Sequence, residues 1–478
     1  MDYLQQARFA DMLLHVRKKV MLVHNVISFE QVSFRYPDEE KCILNDFSFT
    51  VQKGSKVVIT GPSGCGKTTL LYLCNRLYPD NCDGILAGKI KLFGKDSSSF
   101  IPGEINQRIA TVFQDPDAQF CMQTVEEELA FTLENLHVKR EEMDNRITEV
   151  LALTNLSEFR YSIIQQLSGG QKQQIATACA LIMEPEVLLL DEPISHLDPY
   201  TAKHYIEWLD QLQQKRKLTI VAIEHRLDLW GDFFDRIIPL NESEEVSALS
   251  KRMTSMQPET SFQATKIETK NFLKPTSFTL QRGEIAILAG PNGSGKSTLL
   301  KALCQLIPTS GLVEPSFLGY VPQSPEFLFL TKTVKDEVAY GGGYDVDNLM
   351  DRLKLMDIAP SHPFSISHGQ KRRVAIAAML CDGREVILMD EPTSGQDAVA
   401  LSELFQLIDM RAQEGTTFLI VTHEMEFAYY LADSILLMDD GRLTGKFPAK
   451  DVWENDRLLL DHHLLPPKGL MLREKSFA

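Results

Sequence analysis

Short apolar runs alternate with polar stretches along the chain, and several of these runs have the length of a strand. Residues 56–60, 187–190 and 284–289 are runs of this kind, rich in Val, Ile, Leu and Ala. The first and the third lead into Gly-rich loops, which are followed by helix-like runs at residues 69–73 and 298–303. A strand that continues through a tight loop into a helix is typical of α/β proteins.

The same motifs occur twice and in the same order. GPSGCGKT at residues 61–68 corresponds to GPNGSGKS at 290–297, and VLLLDEP at 187–193 corresponds to VILMDEP at 386–392. Ser168 and Ser367 lie 199 residues apart in the sequence, and the later motifs keep nearly the same offset. A constant offset indicates one fold used twice. The second copy is about 30 residues shorter between its phosphate loop and Ser367, which we interpret as trimmed surface loops and hairpins.

The predicted domain boundaries follow from this repeat and from local composition. A polar, Ser- and Glu-rich stretch without apolar periodicity separates the copies and is typical of a linker. We predict an N-terminal extension at 1–21, a first domain at 22–243, a linker at 244–264, a second domain at 265–450 and a tail at 451–478. The apolar residues of the tail fit docking on one domain or extension of an interface, and the sequence leaves both open.

Composition restricts the possible classes of function. The net charge of −16 argues against a nucleic-acid partner, because phosphate neutralisation needs an excess of Lys and Arg. The eight cysteines contain no C-x-x-C pair, so neither a zinc site nor a redox motif is indicated. No run approaches the roughly 18 consecutive apolar residues of a membrane span, and no signal-peptide pattern is present. We therefore expect a cytoplasmic protein.

Both Gly-rich loops match G-x-x-x-x-G-K-[ST], whose backbone N–H groups surround phosphates at the N-terminus of the following helix. Lys67 and Lys296 are expected to reach the β/γ-phosphates, while Thr68 and Ser297 are expected to hold Mg²⁺. The candidate binding residues of the two loops are Gly61, Ser63, Gly64, Gly66, Lys67, Thr68, Thr69, Gly290, Asn292, Gly293, Gly295, Lys296, Ser297 and Thr298.

Each strand of the second repeated motif ends in two carboxylates, Asp191-Glu192 and Asp390-Glu391. Ligands of open α/β sheets bind at the carboxyl ends of the strands. We expect each Asp to orient Mg²⁺ and each Glu to position and polarise an attacking water. An isolated pair of this kind could also be a surface turn, but its order after a phosphate loop favours the functional interpretation.

Residues 167–171 read LSGGQ and precede a helix-like run. A Ser and two glycines at a helix N-terminus form a second anion-binding surface. With this motif the sequence closely resembles the ATP-binding-cassette (ABC) superfamily, over about residues 22–445. The matching Q-loop, D-loop and switch positions are Gln114, Gln323, Asp198, Asp397, His225 and His423.

The resemblance implies an α/β protein with two tandem P-loop NTPase domains, each with a mainly parallel core sheet, an antiparallel β subdomain and a helical signature subdomain. It implies that the domains pair head to tail within one chain and hydrolyse ATP with Mg²⁺. The implied catalytic residues are Glu192, Glu391, His225 and His423. The implied ATP contacts outside the loops are Tyr36, Gln114, Ser168, Gly169, Gly170, Gln171, Gln323, Ser367, Gly369 and Gln370. The implied Mg²⁺ ligands are Thr68, Gln114, Asp191, Ser297, Gln323 and Asp390.

The two copies differ in ways that predict unequal sites. His368 replaces the first signature glycine of the second copy. We expect it to crowd the nucleotide of the first site, so that the second site hydrolyses faster; a favourable imidazolium charge is the alternative. Tyr36 is expected to stack on adenine, with plain packing as the alternative. Phe272, near the corresponding position of the second copy, is expected to pack internally rather than to replace it.

The stretch after each Q-loop glutamine resembles the Q-helix of energy-coupling factor (ECF) transporter ATPases, which energise import of vitamins and metal ions. Both stretches read as a short helix followed by Thr-Val and an acidic helix start. The resemblance implies a transmembrane scaffold subunit and a substrate-binding membrane subunit as partners, at the cytoplasmic face of the cell membrane. The candidate scaffold contacts are Phe120, Met122, Phe327 and Phe329, with internal packing as the alternative.

Two other functions remain as alternatives, a soluble tandem-cassette factor acting on ribosomes and a double ATPase of a sugar importer. The first class typically carries a long charged helical linker, and the second typically has one degenerate phosphate loop. Neither feature occurs in this sequence. The substrate is not indicated, because in the ECF family a separate membrane subunit recognises it.

Overall fold

The computed structural model describes most of the chain. The described residues are 25–240, 251–252 and 256–465, except Asp38, Glu40, Ser63, Asn81, Pro102, Arg226, Asn271, 343–345, Gly395 and Asp397. The predicted N-terminal extension at 1–21 lies outside them, as do the residues of the predicted tail from 466 onward.

The first copy contains two sheets. Its strands are β1 (Asn25–Arg35), β2 (Leu44–Gln52), β3 (Lys56–Thr60), β4 (Ile85–Leu92), β5 (Lys95–Asp96), β6 (Ile109–Val112), β7 (Val187–Asp191), β8 (Thr219–Ile223) and β9 (Arg236–Pro239). One sheet is antiparallel, in the order β2-β1-β4-β5, and the other is parallel, in the order β6-β7-β8-β3-β9. Every residue of β7 and β8 is buried, as expected for parallel strands covered on both faces.

Helices surround the parallel sheet of the first copy, and their apolar faces form its core with the sheet. The α-helices are Lys67–Cys74, Leu77–Asp80, Glu104–Arg108, Pro116–Gln119, Val125–Asn135, Arg140–Thr154, Gly169–Leu181, Pro199–Arg216 and Leu227–Trp230. Short 3₁₀ turns occur at Ser97–Ser99, Ser157–Phe159 and Ile164–Gln166. Among the helices of the described residues, none combines the length and the apolar character that crossing a membrane requires.

The second copy repeats this architecture. Its strands are β10 (Gln257–Thr269), β11 (Leu273–Arg282), β12 (Ile285–Ala289), β13 (Ser310–Glu314), β14 (Gly319–Val321), β15 (Val386–Asp390), β16 (Thr417–Val421), β17 (Ser434–Asp439) and β18 (Arg442–Pro448). The antiparallel sheet has the order β11-β10-β13, and the core sheet has the order β14-β15-β16-β12-β17-β18 with only β18 antiparallel. The predicted fold class, two tandem P-loop NTPase domains of the α/β type, is confirmed.

The helices of the second copy explain part of its shorter length. They are Lys296–Leu303, Val334–Ala339, Val346–Arg352, His368–Cys381, Ala398–Gln413, Met425–Leu431, Ala449–Trp453 and Asp456–Asp461, with 3₁₀ turns at Pro325–Leu328 and Met356–Ile358. The two helices before the signature have 6 and 7 residues, whereas their counterparts in the first copy have 11 and 15 residues. The shortening therefore also affects these helices, beyond the surface loops and hairpins to which we assigned it.

The structure places the start of the second domain earlier than the sequence analysis does. Strand β10 begins at Gln257, inside the predicted linker of 244–264. Phe262 and Ala264 are buried in the core on alternate positions of this strand, while the polar Gln263 between them is exposed. The correct interpretation was a half-buried strand, whose period of two was concealed by its many polar residues.

The described part of the predicted tail packs on the second copy. Val452, Trp453, Leu459 and Leu464 are buried in the same core as the strands of that copy. The boundary predicted at residue 450 therefore cuts through a helix, Ala449–Trp453. The tail also reaches the first copy, because the His463 ring stacks on the Tyr200 ring with 4.6 Å between their centroids. Both alternatives left open by the sequence, docking and extension of an interface, thus occur together.

Candidate active sites

Both phosphate loops turn directly from a core strand into a helix. In the first loop Gly66 has φ 98°, and a Cβ there would lie 2.4 Å from Ile43 Cγ2. Gly295 of the second loop has the same φ of 98°. These positions need glycine because the backbone is left-handed and the side chain of another residue lies close to it. The predicted contact Ser63 lies outside the described residues.

The loop lysines are buried and point back across their own loops. Lys67 Nζ donates to the carbonyls of Gly61 and Pro62 at 2.9 and 2.7 Å. Lys296 Nζ donates to the corresponding carbonyls of the second loop at 2.8 and 2.7 Å. Burial lowers the pKa of Lys296, and nearby carboxylates counteract part of this effect. A buried ammonium group beside the backbone of a Gly-rich loop is suited to bind a phosphate chain.

The paired carboxylates lie at the carboxyl ends of β7 and β15. Glu192 and Glu391 both have positive φ, 44° and 53°, which is uncommon for residues other than glycine. Each is also fixed by a histidine. His225 Nε2 lies 3.1 Å from Glu192 Oε1, and His423 Nε2 lies 3.1 Å from Glu391 Oε1. The structure therefore brings each predicted Glu together with the predicted switch histidine of its own copy.

Asp191 and Asp390 are buried beside the loop hydroxyls. Burial, reinforced by the neighbouring Glu192, raises the pKa of Asp191 to about 7. Burial and Glu391 raise the pKa of Asp390 to about 6. Ser297 Oγ donates to Asp390 Oδ1 at 3.1 Å, and Thr68 makes the corresponding hydrogen bond to Asp191. A buried carboxylate with a hydroxyl beside it fits Mg²⁺, because a cation would offset the cost of ionising the carboxylate.

The Q-loop glutamines differ between the copies. Gln114 Nε2 donates to Glu192 Oε2 at 2.9 Å. Gln323 instead lines a cavity of about 200 Å³ together with Glu391 and His423.

This cavity lies between the two copies. Its other lining residues are Ser195, His196, Asn292, Gly293, Gly295, Lys296, Ser297, Thr298, Ser394 and Val421. Ser195 and His196 belong to the first copy, and Asn292 Nδ2 donates to the His196 carbonyl at 3.3 Å. The first copy thus contributes to the second phosphate site through the segment that follows Glu192. The sequence analysis missed Ser195 and His196; their position just before the D-loop Asp198 was the available signal.

The signature serines have a well-defined local role. Ser168 caps the helix Gly169–Leu181 and Ser367 caps the helix His368–Cys381, each with a reciprocal bond to the glutamine three residues later. Among the described residues, the cavity lining includes Ser195 and His196 but not residues 168–171. The predicted cap of the second site by that signature therefore stays a prediction. Asp397 lies outside the described residues.

The two aromatic residues predicted near adenine lie in different environments. Tyr36 sits in a cluster with Phe34 and Tyr78, and its hydroxyl is hydrogen-bonded to Thr69 at 2.9 Å. Phe272 is 72% exposed, so our expectation that it packs internally is wrong. It lies in the tight turn between β10 and β11, outside both strands. Stacking of Tyr36 on adenine stays a prediction.

The apolar residues after the Q-loops also separate into two groups. Phe327 is 86% exposed and Met122 is exposed, whereas Phe120 is half-buried against the core of the first copy. Phe329 is only 8% exposed and meets Phe364 edge to face. The prediction that Phe329 is available to a partner is therefore wrong, because its ring faces the core of the second copy.

Comparisons with known proteins agree with this geometry. The family profile described as ABC transporter matches twice, at residues 44–195 and 273–394. The chain is 38% identical over 492 residues to the Bacillus subtilis protein named for HMP/thiamine import, the ATP-binding protein YkoD, covering 87% of this chain and 90% of that one. It is 30% identical over 531 residues to an ABC transporter ATP-binding protein of Saccharolobus solfataricus, with coverages of 94% and 98%.

Among solved structures, the chain is similar to one described as a model of ribosome-bound archaeal Pelota and ABCE1. The TM-score is 0.65 and the identity 21%, over 90% of this chain and 80% of that one. At this identity the likeness shows a shared tandem-cassette fold and nothing about partners. The two profile matches and the full-length relatives show the family directly. The chain belongs to the ABC transporter ATPases, ATP-binding and ATP-hydrolysing proteins, and carries two cassettes in one polypeptide.

Proposed function

We propose that this protein is the ATP-hydrolysing, energy-coupling subunit of an ECF-type membrane importer. The observation that carries the proposal is the exposed apolar surface after the second Q-loop, where Phe327 and Leu330 project from the cassette. Exposed aromatic and aliphatic residues next to a predicted ATP site are suited to a protein partner. The relative named for HMP/thiamine import favours a vitamin or vitamin precursor over a metal ion as the transported substrate.

The proposed chemistry assigns one role to each predicted group. Lys67 and Lys296 bind the phosphates, and Glu192 and Glu391 each orient a water molecule for attack on the terminal phosphate. His225 and His423 hold these carboxylates through the 3.1 Å contacts. Mg²⁺, when bound, would neutralise phosphate charge. Asp191, Asp390, Thr68, Ser297, Gln114 and Gln323 are the residues proposed to hold it.

ATP can drive a partner because it contacts both cassettes only when they are closed. A shift from about 1% to about 99% closed requires about 5.5 kcal/mol of differential binding. Ser195 and His196 already line the second site from the first cassette. We propose that the signature residues Ser168, Gly169, Gly170 and Gln171 cap the second ATP on closing. Ser367, Gly369 and Gln370 would cap the first ATP, beside Tyr36 as its adenine contact.

The proposed partners are a transmembrane scaffold subunit and a substrate-binding membrane subunit, at the cytoplasmic face of the membrane. The test is affinity purification of the tagged protein from detergent-solubilised membranes of its source, followed by mass spectrometry. We expect both membrane subunits to be recovered with the unaltered protein. Recovery of ribosomal proteins in their place would contradict the proposal and favour the soluble tandem-cassette alternative.

A matched pair of variants links that result to the proposed surface. Phe327→Asp places a charge on the exposed surface after the Q-loop and is expected to abolish recovery of the scaffold. Phe317→Asp makes the same change at another exposed phenylalanine, which contacts Arg384 instead. This control is expected to retain the scaffold. Equal recovery with both variants would show that Phe327 is not part of the interface.

A further inference from the structure

Arg372 is a buried cation in the second signature helix, His368–Cys381. Only 1% of its surface is exposed, and its guanidinium donates to three backbone carbonyls. These belong to Gln323, at 2.6 Å, Ser394, at 3.1 Å, and Glu391. One side chain therefore joins the Q-loop, the end of the catalytic strand β15 and the turn that follows it.

The first cassette is built differently at the same place. The residue 199 positions earlier than Arg372 is Gln173, which is buried and hydrogen-bonds to Tyr205. There the Q-loop reaches the carboxylate through a side chain, the 2.9 Å bond from Gln114 to Glu192. The two cassettes thus connect the Q-loop to the carboxylate by two distinct routes, one through side chains and one through the backbone.

The backbone route suits the geometry of an arginine. A guanidinium carries five donors in a rigid planar fork, whereas a glutamine amide offers two. Three carbonyls that converge on one buried position need such a fork, because buried acceptors without donors are costly. One of the three carbonyls that accept from Arg372 belongs to Glu391, whose backbone has a positive φ of 53°. A displacement of about 1 Å in a catalytic group can cost about 100-fold in rate.

We propose that Arg372 is a positioning residue of the second site, which transmits the position of the Q-loop backbone to Glu391. Movement of Gln323 would then change the aim of Glu391 through Arg372, a route that Gln173 does not supply in the first site. This inference rests on the proposed roles of Gln323 and Glu391, and it gives the second site its own link between the Q-loop and catalysis.

The test measures ATP hydrolysis in a Glu192→Gln background, so that turnover reports the second site. Arg372→Gln copies the residue of the first cassette and is expected to lower kcat about tenfold, with KM for ATP changed less than about twofold. The control is Arg373→Gln, which copies Gln174 and alters a guanidinium bonded to the Leu353 carbonyl, away from the Q-loop. The control is expected to keep kcat within about twofold.

A second variant keeps the test valid if Arg372→Gln does not fold. Arg372→Lys retains the buried charge but loses the fork, and it is combined with Gln323→Ala in a double-mutant cycle. The Gln323 side chain is the proposed nucleotide and Mg²⁺ contact through which the Q-loop moves, so Gln323→Ala removes the signal that Arg372 would transmit from the Q-loop backbone. The loss of kcat caused by Arg372→Lys should therefore be at least about threefold smaller once Gln323 is alanine. Strictly multiplicative effects would overturn the proposal and leave Arg372 with a purely structural role.

The same background separates this inference from the proposed function. Glu391→Gln added to Glu192→Gln is expected to remove the remaining hydrolysis. If hydrolysis persists unchanged, the proposed role of Glu391 fails whatever the cycle shows. If hydrolysis is lost but the cycle is multiplicative, only the role of Arg372 fails.

Discussion

Gln114 Nε2 donates a hydrogen bond to Glu192 Oε2 across 2.9 Å, so the Q-loop of the first cassette holds its carboxylate directly. In the second cassette Gln323 faces the inter-cassette cavity with Glu391. Glu391 Oε2 instead accepts the backbone N–H of His423 at 3.3 Å, so both carboxylates are engaged at both oxygens but only Glu192 is held by its Q-loop glutamine. The His368 signature, which is proposed to cap the first site, favours faster hydrolysis at the second site.

Separate removal of the two carboxylates tests this inequality. Glu391→Gln is expected to lower steady-state ATP hydrolysis at least about tenfold, and Glu192→Gln less than about threefold. The measurement is phosphate release at saturating ATP, with nucleotide binding measured in parallel to show that both variants still bind. Equal losses from the two substitutions would contradict the inequality.

The pH dependence of the first site should change when its histidine is removed. Burial raises the pKa of Glu192, but the hydrogen bond and the charge of His225 lower it. The lowering prevails, so the pKa of Glu192 lies below its usual value. In His225→Ala the pKa should rise, and a higher pH is then needed to ionise the carboxylate. We expect the acidic limb of the rate profile to move to higher pH. Labelled ATP in a Glu391→Gln background follows this site, and an unmoved limb would exclude His225 as the group that sets this pKa.

Burial of the Asp191 carboxylate is predicted to lower the free energy of unfolding at neutral and alkaline pH. Its pKa is about 7 in the folded chain, against about 3.9 in an unfolded one, so folding disfavours the ionised form. The penalty is absent below about pH 4, grows as the pH rises, and is complete above about pH 7. Asp191→Asn should therefore increase the free energy of unfolding at pH 8, by at most about 4 kcal/mol, and should not do so at pH 4.

The measurement for Asp191 is denaturant unfolding of the nucleotide-free protein at the two pH values. Asp232→Asn changes an exposed aspartate and serves as the control, with little effect expected at either pH. A destabilised Asp191→Asn at pH 8 would show that the ionised carboxylate is stabilised in the fold and is not a cost to it.

The two phenylalanines after the second Q-loop should behave in opposite ways. Phe329 is buried against Phe364, so Phe329→Ala should cost about 3 kcal/mol of folding free energy. Phe327 is exposed, so Phe327→Ala should change stability by less than about 0.5 kcal/mol. Thermal unfolding of the two variants checks both values. Similar destabilisation by both changes would mean that Phe327 packs in solution.

The sequence was sufficient for features that depend on local motifs. The phosphate loops, the carboxylate pairs and the capped signature helices each combine a backbone geometry with nearby residues, and they repeat at a constant offset. The sheets followed from the same motifs because strand, loop and helix are adjacent in the chain. These parts of the fold could therefore be predicted without tertiary information.

Features that depend on distant contacts could not be predicted in this way. Phe327 and Phe329 are two residues apart in similar surroundings, and only packing against Phe364 distinguishes them. His196 reaches the second site only because the cassettes meet, and Arg372 is notable only where three carbonyls converge. Strand β10 was mistaken for linker because one face of its sheet carries polar residues.

The most direct measurement of the central claim is uptake by cells whose chromosomal copy carries Glu192→Gln and Glu391→Gln together. Labelled thiamine, its hydroxymethylpyrimidine precursor, other vitamins and divalent metal ions would be tested as a panel against unaltered cells. The account predicts that uptake of at least one vitamin-class compound falls to background while the protein is still expressed and recovered with its membrane partners. Unchanged uptake across the whole panel, together with an altered ribosome profile, would contradict it.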